Sequence, residues 1–173
     1  PDVPWFIHLA EGTDDVAAGE YQRLKALGCI GPNTVYVHGV GLTAEDVVDA
    51  HMSAANFSGV GHGSEIPIIW CPTTNLYLLG KTGHPRMGWN THNLLGSDSR
   101  LTADGDLLDE LRFAATWYKK NQDGDNLAIY LATQTTYRWA SYWKENILPI
   151  RSEDCADFVI ISAIDDAARK LCN

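Results

Sequence analysis

Short apolar runs punctuate this chain at near-even intervals. Trp5–Leu9, Thr34–His38, Ile66–Cys71 and Asn93–Gly96 each lead into a loop carrying polar residues. A near-continuous apolar run is what a strand covered on both faces requires. The segments between carry helical character. Asp14–Leu27 sets Val16, Ala17, Tyr21, Leu24 and Leu27 near helical spacing and stops at Gly28. Thr43-Ala-Glu-Asp46 opens a second helix: Thr43 can cap it, and the acids of the first turn suit the helix dipole. Leu107–Tyr118 gathers Leu107, Leu108, Leu111, Ala114 and Ala115 on one face. The strand-end residues His8, His38, Cys71 and Asp98 stand 30, 33 and 27 residues apart. This is a βα repeat, and it predicts an α/β fold with four consecutive parallel strands. Asn126–Trp143 reads as a longer helix, and Phe158–Ile161 as a late strand outside the repeat. Two stretches fit badly. His51–Glu65 is rich in Gly, Ser and His, and Gly83–Asn93 carries Gly83, Pro85 and Gly88, which disfavour a helix. Long loops over a site and loss of regular structure both accommodate them.

Composition narrows the class without fixing it. The 173 residues suffice for one good core, or for one domain and part of another. With 45% hydrophobic and 20% charged residues the chain is globular. A net charge of -9 argues against nucleic acid and anionic membranes as partners and fits a solvated acidic surface. Cys29, Cys71, Cys155 and Cys172 show no CxxC spacing, so neither a zinc knuckle nor a redox motif is suggested. Such cysteines fit a reducing cytoplasm, the expected location. Asn56-Phe-Ser58 is a formal glycosylation sequon with no other sign of secretion, and no signal peptide or membrane-spanning run is visible. The chain opens Pro1-Asp2-Val3-Pro4 and reaches a core strand almost at once, which reads as a fragment or a processed piece.

The candidate chemistry lies at the strand ends. Trp5-Phe-Ile-His-Leu-Ala-Glu11 ends an apolar run in an imidazole and, three residues on, a carboxylate. A neutral imidazole can bind a metal, and a nearby glutamate can move protons for a metal-bound water. The later ends supply Val37-His38-Gly39, Cys71-Pro-Thr-Thr-Asn75 and Gly96-Ser-Asp98-Ser99. In a parallel barrel such ends converge on one face, so two imidazoles and two carboxylates would meet in one pocket. Cys71 reads as a small buried apolar group. Asn75 and Ser99 are candidates for a substrate-facing loop, and Asn75 reads equally as a loop cap. The histidines at 51, 62, 84 and 92 fall in the irregular stretches and lack a rigid strand end to present them. Asp109, Glu110 and Arg112 read as a solvated helix face. Trp70, Trp89, Trp117, Trp139 and Trp143 read as core or half-barrel surface.

Taken in order, His8-Leu-Ala-Glu11, Val37-His38-Gly39, Trp70-Cys-Pro-Thr-Thr-Asn75 and Leu95-Gly-Ser-Asp98-Ser99 resemble the amidohydrolase superfamily, in its deaminase and chlorohydrolase branch. Leu107-Leu-Asp-Glu-Leu-Arg112 and Ala156-Asp157-Phe-Val-Ile-Ile161 resemble it too. The resemblance implies the C-terminal half of a (β/α)8 TIM-like barrel over residues 1–145, and a remnant of a small β-sandwich over 146–173. It implies His8 and Asp98 as ligands of one divalent metal, zinc foremost and iron second. It implies Glu11 as proton shuttle, His38 as the group orienting water or substrate, and Asp98 as general base as well as ligand. The implied reaction is metal-dependent hydrolysis of a C–N or C–Cl bond in a small molecule, such as deamination of a nitrogen heterocycle or amidine. The family takes two further ligands from a His-x-His, and this chain has none. Activity would then need the missing N-terminal half-barrel or a partner chain, and the alternative is a catalytically incomplete chain. A free-standing flavodoxin-like domain is disfavoured, because no Gly-rich phosphate loop follows any strand.

Overall fold

The computed structural model describes residues 5–31, 33–58, 66–83, 91–103 and 105–120. Four strands, β1 (Trp5–Leu9), β2 (Thr34–His38), β3 (Ile66–Trp70) and β4 (Thr91–Leu95), form one sheet in the order β1-β2-β3-β4. Every neighbouring pair is parallel, with His8 opposite Val37, Leu9 opposite His38, and Trp70 opposite Leu95. The parallel βα architecture therefore stands as the spacing predicts. Among the described residues the sheet is open, with β1 and β4 at its edges. All five residues of β2 are buried, as suits a parallel strand covered on both faces. The edge strand β1 leaves Trp5 and Phe6 exposed and buries Leu9.

The connections depart from the expectation in three places. The Asp14–Leu27 pattern forms two helices, α1 (Asp15–Ala18) and α2 (Glu20–Ala26), separated at Gly19. The side chain of Asp14 caps α1 by accepting from the Ala17 amide. Helix α3 (Ala44–Ser58) carries on through residues 51–58, where composition alone predicts irregular structure. The segment after Cys71 is no loop but helix α4 (Pro72–Leu79), with a proline in its first turn and Gly80 in left-handed conformation as its C-cap. Helix α5 (Leu107–Lys120) agrees with the predicted start at Leu107. Among the described residues no helix is long and apolar enough to cross a membrane.

One core cluster sits beneath the first two crossovers. Tyr21 and Leu24 of α2, Val47 and Ala50 of α3, and Leu9, Tyr36, Leu42 and Ile68 are buried together. The two helical pairs are each spaced i, i+3, so each helix turns one face to the sheet. Tyr21 meets Tyr36 edge-on at 6.3 Å and donates its hydroxyl to Asp49 at 2.9 Å. Burial, with the Asp49 bond adding to it, holds the Tyr21 hydroxyl well above the ordinary phenol range. Lys25 binds the same carboxylate at 2.6 Å and, ahead of Tyr21, keeps Asp49 below its usual range. Asp49 thus ties α2 to α3.

Helix α3 starts on a capping box. The Asp46 amide donates to the Thr43 hydroxyl oxygen at 3.1 Å, and the Thr43 amide donates to Asp46 Oδ2 at 3.1 Å. Thr43→Ala removes one arm, and the expected loss of stability is about 1 kcal/mol in chemical denaturation. A loss indistinguishable from zero would mean that water replaces the cap.

Contacts divide the chain into two units, Pro1–Glu110 and Leu111–Asn173. The second is described only through residue 120, as the continuation of α5. The expected 145/146 boundary, the Asn126–Trp143 helix and the Phe158–Ile161 strand lie outside the described residues.

Candidate functional site

The C-terminal ends of the strands carry unusual backbone. Among the described residues three non-glycine residues have positive φ: Ala10 at 52°, His38 at 71° and Asp98 at 52°. Each sits at or just beyond the end of a strand. Left-handed backbone at such residues costs on the order of 1 kcal/mol or more, and clusters of it mark sites the fold over-determines. At His38 the consequence is visible. Regular alternation would set His38 with Leu9 and His8 with Val37. The left-handed turn at the last residue of β2 breaks that alternation, and the two imidazole rings lie 5.3 Å apart.

Asp98 reaches the same place from β4. The chain leaves β4 through Gly96, whose amide donates to the Trp70 carbonyl at 2.9 Å. A Cβ at Gly96 would stand 2.6 Å from Ile69 Cγ2 and 3.0 Å from Cys71 Sγ, so only glycine lets β4 pass this close to β3. Ligand atoms of His8, His38 and Asp98 all lie within 4.8 Å of one another. His38 is buried, while His8 and Asp98 are open to solvent. Glu11 stands beside them, its Oε1 at 3.5 Å from His38 Nε2.

The two nitrogens of His38 differ. Nδ1 lies 2.8 Å from Asn75 Oδ1, both groups being buried. Nε2 is buried and makes no hydrogen bond. A buried ring nitrogen left open beside another imidazole and a carboxylate suits a cation once its proton sits on Nδ1. Two ligands on one zinc ion, each about 2.0–2.2 Å from it, are at most about 4.4 Å apart. The cluster needs to draw in by only a few tenths of an ångström to meet that limit. Two nitrogens and one oxygen also match the three-ligand pattern of hydrolytic zinc sites. His38, expected to orient water or substrate, therefore stands where it can also be a ligand.

The other expected residues fall as follows. Asn75 lies in α4 and is fully buried, so it is not on a substrate-facing loop. Ser99 is exposed and ties its own turn: its hydroxyl oxygen accepts from the Leu101 amide at 3.2 Å, and its carbonyl from Thr102 and Ala103. Cys71 is buried, and its thiol is pushed up to about 12, first by burial and then by the charges of Asp98, Glu110 and Glu11. It stays protonated and is a poor ligand or nucleophile near neutral pH. His51 lies in α3 and does not join the cluster, His92 lies in β4, and His62 and His84 lie outside the described residues.

Glu110 is a correction. It is no part of a solvated face but 2% exposed, and it caps α4 from another helix. Thr73 donates both its backbone N–H, at 3.3 Å, and its hydroxyl to the Glu110 carboxylate. Helix α4 has no side-chain cap of its own, so this contact takes that part. Burial drives the Glu110 carboxyl above its usual range, against the Thr73 bonds and with the charges of Asp109 and Asp98 adding to the rise. Relative to the unfolded chain, the folded chain therefore favours the protonated acid. That preference stabilises fully below the unfolded pKa and fades as pH rises through the higher folded one. Glu110→Gln cannot ionise, so relative to the parent it should gain stability as pH rises from 4 to 8. Parallel pH profiles of the two proteins in urea unfolding would contradict this.

No protein-family model matches the chain, and no curated protein sequence does. Among solved structures, the crystal structure of an adenosine deaminase from Xanthomonas campestris with bound zinc matches at a TM-score of 0.54 and 21% sequence identity. The match covers 72% of this chain but 28% of that one. The likeness shows the fold: a parallel α/β arrangement that corresponds to part of a larger protein.

Proposed function

We propose that this chain carries half of the active site of an amidohydrolase-type metal-dependent hydrolase, with a (β/α)8 barrel completed by residues outside this sequence. The substrate is a small molecule with an electrophilic carbon bonded to nitrogen, and deamination of a nitrogen heterocycle or amidine is the leading reaction. Release of halide from a C–Cl bond is the variant the same chemistry permits. The observation that carries the reading is the convergence of His8, His38 and Asp98, with Glu11 beside them, at the strand ends. The fold likeness to a zinc-bound adenosine deaminase supports it.

His8, His38 and Asp98 would hold a divalent ion, zinc before iron. When bound, such an ion supplies Lewis acidity and lowers the pKa of a coordinated water to around 7. The chain's own groups do the rest. Asp98, on an exposed strand end, can accept a proton from the attacking water. Glu11, beside the cluster, can carry a proton to the ring nitrogen and then to the leaving group. His38, held from behind by Asn75, fixes the direction in which Nε2 meets the ion or the water. We place the protein in the cytoplasm.

The absence of a His-x-His motif makes the isolated chain an incomplete enzyme on this reading. The complete protein, zinc-loaded, should release ammonia from at least one member of a panel of amino-substituted nitrogen heterocycles and amidines. No ammonia or halide across such a panel, from a protein shown to hold stoichiometric zinc, would overturn the proposal.

A further inference from the structure

A histidine offers its ligand lone pair on one nitrogen only when the proton sits on the other. In His38 the choice is made from behind. Nδ1 faces Asn75 Oδ1 at 2.8 Å, and an amide oxygen is purely an acceptor. The amide is itself oriented. Asn75 Nδ2 points at the Thr82 hydroxyl, a long contact of 3.4 Å. That hydroxyl oxygen also accepts the Trp70 indole N–H at 2.7 Å. Trp70 ends β3 and Asn75 lies in α4, so two regular elements, linked by Thr82 just after α4, carry the chain of contacts to His38. The reversed amide would donate to Nδ1 and force the proton onto Nε2. An Nε2–H would then face Glu11 Oε1 at 3.5 Å, too far for a good hydrogen bond, and would be useless to a cation.

We infer that Asn75 is a positioning residue: its carboxamide oxygen, held through Thr82 and Trp70, fixes His38 as the Nδ1–H tautomer and leaves the Nε2 lone pair for the ion that His8 and Asp98 would share. The inference rests on the proposed reading of this cluster as a metal centre. Its main readout does not depend on metal.

The test is long-range proton–nitrogen correlation NMR on the metal-free, full-length chain with labelled histidine. His38 is assigned by loss of its signals in His38→Gln. The parent should show a protonated Nδ1 and a bare Nε2. Asn75→Leu, which fills the space without an acceptor, should move the proton to Nε2, and zinc affinity should fall by about 10–100-fold. Asn75→Asp keeps an acceptor and should retain the parent tautomer. A parent in the Nε2–H form overturns the inference whether or not any variant folds, and so does Asn75→Leu with an unchanged tautomer. A parent in the Nδ1–H form that takes up no zinc supports the positioning role and overturns only the metal reading.

Discussion

His8→Ala is expected to lower zinc affinity by more than about 100-fold while leaving the fold intact. Groups that merely orient a ligand are worth about 10–100-fold in metal affinity, so loss of a ligand itself should exceed that. His8 is also the safest of the three to remove. It is exposed, whereas His38 is buried and hydrogen-bonded to Asn75, and Asp98 occupies a strained turn. Circular dichroism and urea midpoint should match the parent, and competition against a chromophoric chelator should reveal the weakened binding. Unchanged zinc affinity would place the ion elsewhere and remove His8 from the site.

Glu11→Gln separates binding from turnover. Glu11 is not among the three clustered ligand groups, and its carboxylate lies 3.5 Å from His38 Nε2. The amide keeps the size of the side chain and cannot exchange protons. General acid–base catalysis contributes about 10²–10⁴-fold, so kcat of the complete protein should fall by that factor with zinc content unchanged. Full turnover in this variant would remove Glu11 from the mechanism. Loss of zinc together with activity would make it a ligand instead.

The sheet was legible in the sequence because its signal is local. Trp5–Leu9 and Thr34–His38 are apolar runs with sharp ends, and the structure gives those same bounds. Helix α4 was not legible. Pro72-Thr-Thr reads as a loop, and what steadies the helix start is Glu110, 37 residues further on. The same contact hid the burial of Glu110, which pattern alone sets among the polar residues Asp109 and Arg112. Composition groups residues 51–58 with the Gly-rich stretch that follows them, although they continue the helix begun after Thr43.

The chemistry-bearing residues were legible as strand ends, but their mutual geometry was not. Nothing in Val37-His38-Gly39 announces that His38 itself takes the left-handed conformation while followed by a glycine that does so too. That turn sets its ring beside His8, and with it comes a third ligand candidate in a chain that lacks a His-x-His. Its place after the third strand makes Asn75 a candidate for a substrate-facing loop. Its burial and its bond to His38 depend on α4, so they could not be read before that helix was known.

The most direct test is the X-ray absorption spectrum of the zinc-loaded chain, recorded at one equivalent of bound metal. A centre built from His8, His38 and Asp98 should show nitrogen and oxygen scatterers at about 2.0–2.2 Å, with the multiple scattering of two imidazoles and no sulfur. A sulfur shell at about 2.3 Å, or a spectrum unchanged in His8→Ala, would contradict it.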